Sequence, residues 1–183
     1  MRLSDRKIVE IQLNRKVNNF IKTIYYCPFA YPAVVLVDPF KNRIPAPTIY
    51  WLTCPFLSYE VDKIEADTEL VKKFGEKLKN NYTFKKSMDS AHENYAEKRL
   101  ELMNEDQLKK AALISKDLLN TFKYSGIGGI KDKNGIKCLH THLAHYLAGG
   151  DNPVGRIVFN KINWPEDCKI CSERVDKLAS SSN

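Results

Sequence analysis

Long apolar runs are missing from this chain of 183 residues. None approaches the ~20 residues that a membrane-spanning helix requires. The opening stretch MRLSDRKIVEIQLNRK is charged and amphipathic with no continuous apolar centre, so no secretory signal peptide is expected. A cytoplasmic location is the expectation, and thiols stay reduced there. Five cysteines in such a setting read as metal ligands, a nucleophile or small buried hydrophobes, not as a disulfide framework. Glycine is sparse as well, at eight residues, and no G-K-[ST] follows a glycine loop, which excludes a phosphate-binding P-loop. There is no internal repeat of solenoid length.

What is present suffices for one sizeable core, since 43% of the residues are hydrophobic. Residues 1–183 are expected to form a single domain. Lys and Arg number 29 against 22 acidic residues, a formal charge of +7. That balance suits nucleic acid, a phosphate-rich anion or an acidic protein surface, and equally a Lys-rich solubilising surface.

The expected fold class is α+β, a small antiparallel sheet of about three strands packed with several α-helices. Residues 1–55 carry a helix and the sheet. Ser4 to about Arg15 has a Ser-Asp start followed by Ile8, Val9, Ile11 and Leu13, as a short helix should. Phe20–Tyr26, Ala33–Val37 and Thr48–Thr53 are β-branched and aromatic, as strands are. Phe40–Pro47, with Pro45 and Pro47, serves as a connector. Residues 56–177 are mainly helical, with helical period over Phe56–Ala66, Thr68–Asn80, Phe84–Met103 and Glu105–Phe122. Asp67-Thr68, Ser87 and Asn104 supply starts or breaks between these segments. Asn152-Pro153 is an N-cap and N1 pair for one more short helix to about Asn160. Residues 178–183 should fray.

Three of the four histidines stand in KCLHTHLAH, with one cysteine. On a helical wheel Leu139, Leu143, Tyr146 and Leu147 form an apolar face, while Cys138, His142 and His145 fall within about 60° of one another. His140 lies on the other flank. If the helix starts after Cys138, that thiol is in the loop and His140 can turn toward it. Cys27 and Cys54, each in a CPF triplet, end two expected strands. An up-down-up meander brings both to one end of the sheet.

Three readings of this constellation stand side by side. Cys27, Cys54, Cys138, His140 and His145 can surround a transition metal, Zn²⁺ first, with another transition metal or an iron–sulfur cluster as alternatives. His142, Cys168 and Cys171 are secondary ligand candidates, the last two as a C-x-x-C pair. In the second reading Cys138 is the nucleophile of a thiol- or metal-dependent, hydrolase-like enzyme, with His145 or His92 as catalytic partners. In the third the histidines merely occupy a wet face.

Two weaker features point to anions. SGIGGIKDKNG offers flexible amides at Gly128 and Gly129 beside Lys131, and Arg99 shares a helix face with His92 and Tyr95. A mobile connector and a surface arginine are the plain alternatives. The stretch Lys72–Lys86, interleaved with Phe74, Tyr82 and Phe84, fits an RNA-binding module or an ordinary solvated helix face.

The segments CPFAYPAVV, PAPTIYWLTCP, AHENYAEKR and GIKCLHTHLAHYLAGGDNPVG resemble, in order and spacing, a bacterial family catalogued as a domain of unknown function, number five hundred and one. The resemblance runs from about Arg6 to Ile157. It matches the family pattern at Cys27, Cys54, His92, Cys138, His140, His145, Asn152, Pro153 and Gly155. His142 falls where the family admits an apolar residue, so the resemblance favours His140 over His142 as a ligand. Cys168 and Cys171 lie outside it. The family has no established activity. Its members are often encoded beside a septum-formation-initiator-like protein and an exopolyphosphatase, which implies a link to cell division or phosphate metabolism by association alone. The expectation is a metal-binding protein whose biochemical role is open.

Overall fold

Ser4 starts the first helix by accepting a hydrogen bond from the Lys7 amide, and α1 runs over Asp5–Leu13. The computed structural model describes residues 3–41, 45–66 and 68–180. The expected break at Asp67 and the last three residues of the expected frayed tail lie outside these. Three strands follow α1: β1 (Phe20–Tyr26), β2 (Pro32–Val37) and β3 (Tyr50–Leu52). They form an antiparallel sheet in the order β1-β2-β3. β3 is shorter than the sequence suggests, and β2 begins one residue earlier.

The middle strand is buried at every residue, because both sheet faces are covered. Val35 and Val37 pack with Val9 and Leu13 of α1, and with Val17. Leu36 packs on the other side with Ile49 and with Ala91 and Tyr95. Burying a valine or leucine side chain contributes roughly 1.5–3 kcal/mol.

The helices α2 (Pro55–Ala66), α3 (Thr68–Asn80) and α4 (Tyr82–Glu101) come next. The period over Glu105–Phe122 suggests one helix, but the chain forms two, α5 (Glu105–Ile114) and α6 (Lys116–Tyr124). Ser115 separates them with extended backbone, and its hydroxyl accepts from the Leu118 amide as the cap of α6. A short 3-10 turn spans Ile127–Gly129, inside the expected glycine loop. Then come α7 (Leu139–Leu147), α8 (Pro153–Phe159) and α9 (Ile170–Ser180). The tail is therefore helical as far as Ser180, where fraying from residue 178 was expected. Among the described residues, no helix is long and apolar enough to cross a membrane.

α7 positions the candidate chemistry. It packs against β3, α8, the 3-10 turn and α2. Its N-terminus therefore meets the last turn of α2, and its inner face meets the core.

Candidate metal centre

α7 begins one residue after Cys138, which occupies the N-cap with extended backbone and makes no side-chain cap bond. A carboxylate from another helix fills the cap instead: Glu65 of α2 accepts a hydrogen bond from the Leu139 amide. Freed from capping, the Cys138 sulfur lies 3.7 Å from Nδ1 of His140. The same Nδ1 is 3.5 Å from Oε2 of Glu65, and His140 Nε2 is 3.4 Å from Asp62 Oδ1. Asp62 and Glu65 are three apart on α2, so they share one helix face. Ligand atoms of Glu65, Cys138 and His140 all lie within 4.8 Å of one another, and no other group of three meets that spacing among the described residues.

The electrostatics follow from this contact. Burial pulls the Cys138 thiol up, but the adjoining His140 ring and the nearby Thr141 backbone outweigh that, and its pKa is lowered. The His140 imidazole moves the other way. Its hydrogen bond to Cys138 raises its pKa against the effect of burial, and Glu65 and Asp62 add to the rise. A cleft of about 190 Å³ reaches His140 and Thr141, bounded by Leu13, Arg15, Thr48, Tyr50, Trp51 and Leu52. The Arg15 guanidinium lies over the Trp51 ring at 4.6 Å.

His145, expected in the same shell, is elsewhere. The wheel places His142 and His145 together, and that face points into the core, away from Glu65. There they meet His92 of α4 and Asn152. The Asn152 amide nitrogen donates to His142 Nδ1 at 3.1 Å and to His145 Nδ1 at 3.3 Å. Its oxygen accepts from the Gly155 amide at 2.9 Å, capping α8. The Ile127 amide donates to His92 Nδ1 at 3.1 Å. These bonds assign all three rings to the neutral form protonated on Nε2. Burial is the first cause of their low pKa values, about 4 for His92, about 3 for His142 and about 4 for His145. Nε2 of His92 and of His142 is buried with no hydrogen-bond partner among the described residues. Glycines close over two of the rings: a Cβ on Gly126 would stand 2.4 Å from His92 Nδ1, and one on Gly150 2.1 Å from His145 Nε2.

Cys27 and Cys54 do share one end of the sheet, as a meander requires. They face Cys168 and Cys171 across a small cavity, not Cys138. The single five-ligand shell is thus divided into three clusters.

The anion candidates have internal partners. Arg99 is fully buried, and its guanidinium donates to the carbonyls of Phe122, Pro47 and Ser125 at 2.8, 3.2 and 2.6 Å. In the glycine loop the Gly126 amide donates to Ile130 and the Gly129 amide to Gly126. Gly128 and Gly129 adopt φ of +66° and +75°, and the loop packs on Thr141 and Pro47. Lys131 pairs with Asp117 at 2.7 Å. In the Lys-rich stretch, Phe74 and Phe84 stack on each other with ring centroids 6.4 Å apart, while Tyr82 is exposed.

Glu65 and Asp62 escape a reading of the sequence, because nothing distinguishes them from other helical carboxylates until α2 meets α7. Asn152 is legible as a helix cap, and its second task of holding two histidine rings is not. No curated protein and no solved structure matches this chain. A family model does match, over residues 23–160, and that span includes Glu65, Cys138, His140 and the whole histidine cluster but neither Cys168 nor Cys171. The chain therefore belongs to the family described as Protein of unknown function (DUF501).

Proposed function

We propose that this protein binds a divalent transition metal, Zn²⁺ by its donor chemistry, through the Glu65 carboxylate, the Cys138 thiolate and His140 Nδ1. The spacing of the three donors carries the reading. A tetrahedral Zn²⁺ with sulfur at ~2.3 Å and nitrogen or oxygen at ~2.0–2.1 Å sets S and N ~3.5 Å apart, and N and O ~3.4 Å apart. The observed separations are 3.7 Å and 3.5 Å. Asp62 at the far ring nitrogen supplies the carboxylate that commonly orients a metal-bound histidine. Three protein ligands leave a fourth position open beside the cleft at His140, the arrangement that activates water for hydrolysis.

A second reading has its own support in the Cys138–His140 pair. A thiol at a helix N-terminus, with lowered pKa and an imidazole alongside, is the arrangement of a nucleophilic cysteine. One experiment separates the two. Iodoacetamide labelling of Cys138 is followed by peptide mass spectrometry in chelator and in stoichiometric Zn²⁺. The metal reading expects Zn²⁺ to slow labelling at least tenfold and chelator to restore it. Fast labelling of Cys138 that Zn²⁺ leaves unchanged would refute it in favour of the nucleophile.

A further inference from the structure

We infer that Cys27, Cys54, Cys168 and Cys171 form a second, purely structural Zn²⁺ site that fastens the C-terminal helix to the end of the sheet. Cys27 follows β1 and Cys54 lies just past β3, and since both strands run antiparallel to β2 the two thiols emerge at one sheet end. Cys171 lies in the first turn of α9, and Cys168 stands just before it on a segment with no regular structure. All four line one small cavity of about 10 Å³. The thiols are near enough that each disfavours ionisation of its neighbours, Cys27 and Cys171 acting on Cys54, and Cys27 and Cys168 on Cys171.

Donors already point at these sulfurs. The Phe56 and Leu57 amides, at the start of α2, bond to Cys54. The Gln12 side-chain amide donates to Cys171 Sγ at 3.3 Å while also donating to the Pro32 carbonyl at 2.8 Å. Burial raises the pKa of both thiols, Cys54 to about 12, and these N–H···S contacts act against it by favouring the thiolate, the form that binds metal. After Cys27 the chain turns sharply, with the Ala30 amide donating to the Cys27 carbonyl and Ala30 at φ +61°. A non-glycine residue held there is strained, as residues at ligand sites often are. Phe29, Phe56 and Trp164 wall the cavity, with Trp164 packed edge-on to Phe29 and its ring centroid 5.1 Å from that of Phe56.

Inert packing of small hydrophobes accounts for the burial, but not for the Gln12 amide held against Cys171 or for a cavity between the four thiols. A shell of four thiolates suits a single tetrahedral Zn²⁺ ion. No three of these sulfurs come within 4.8 Å of one another, so Zn²⁺ binding draws the Cys168–Cys171 segment inward. Four thiolates close the shell, which makes the metal a staple rather than a reagent.

The test uses full-length protein carrying Cys138→Ser, so that the outcome is independent of the Glu65–Cys138–His140 centre. This protein is loaded with Co²⁺ and its absorption recorded. One Co²⁺ per chain is expected, with thiolate charge-transfer intensity about four times that of a single Co–S bond. Adding the half-buried substitution Cys168→Ser lowers that intensity to about three quarters or releases the metal. Chelation of the zinc form should expose the C-terminal helix to proteolysis after Lys161. Absence of thiolate charge transfer, or a disulfide between any two of the four cysteines in place of metal, overturns the assignment.

Discussion

Acidification from about pH 7 to about pH 5.5 should destabilise this protein far more than exposed histidines allow. His92, His142 and His145 are buried as neutral rings with pKa values of about 4, about 3 and about 4. In the unfolded chain each titrates near 6.5, so below that pH the unfolded state gains protons that the folded state refuses. Stability is fully present above the unfolded pKa and is lost as the pH falls toward the folded values. Over the stated interval each ring accounts for about 1.2 kcal/mol, or roughly 4 kcal/mol for the three together. His140 opposes this, because its raised pKa contributes stability below the unfolded value that disappears as the pH rises through the folded one. Urea unfolding at a series of pH values measures the balance, and His92→Gln should reduce the slope by about a third. A stability that stays flat between pH 7 and pH 5.5, or a slope that His92→Gln leaves unchanged, would refute the assignment of three neutral buried rings.

Other consequences can be checked by the same unfolding assay. Arg99→Met removes the donors from three carbonyls in the interior; at roughly 1–3 kcal/mol for each unsatisfied group it should cost 3 kcal/mol or more. Arg99→Lys should fall between, since one ammonium cannot span the guanidinium's fork. Gly150→Ala forces a Cβ onto His145 and should cost about 1–3 kcal/mol. Gly135→Ala, with nothing within 4 Å of its Cβ position, should change stability by no more than about 0.5 kcal/mol.

Local signals in the sequence announce most of the fold. The alternation and aromatic content of FIKTIYY place β1 to the residue, and Thr68–Asn80 reads off its helical period. Ser115 is missed because a serine inside an otherwise continuous period is compatible with a helix. Its role as a cap comes from α6 packing back against α5 and α4. The same limit applies to the site. Cys138 and His140 are neighbours in sequence, so their pairing is legible, whereas Glu65 joins them only through the docking of α2 on α7. Helical period groups His142 with His145 correctly but does not say that their side of α7 faces the core. Likewise the CPF echo brings Cys27 and Cys54 to one sheet end, and only the path of the chain after Ile162 reveals which thiols meet them there.

Native mass spectrometry of full-length protein carrying Cys54→Ser, Cys168→Ser and Cys171→Ser, which leaves a single thiol in the second cluster, counts the Zn²⁺ retained at the first. The account predicts one tightly held ion that His140→Ala or Glu65→Gln abolishes and His145→Ala leaves in place. Loss with His145→Ala but not with His140→Ala, or no ion in any form, would contradict it.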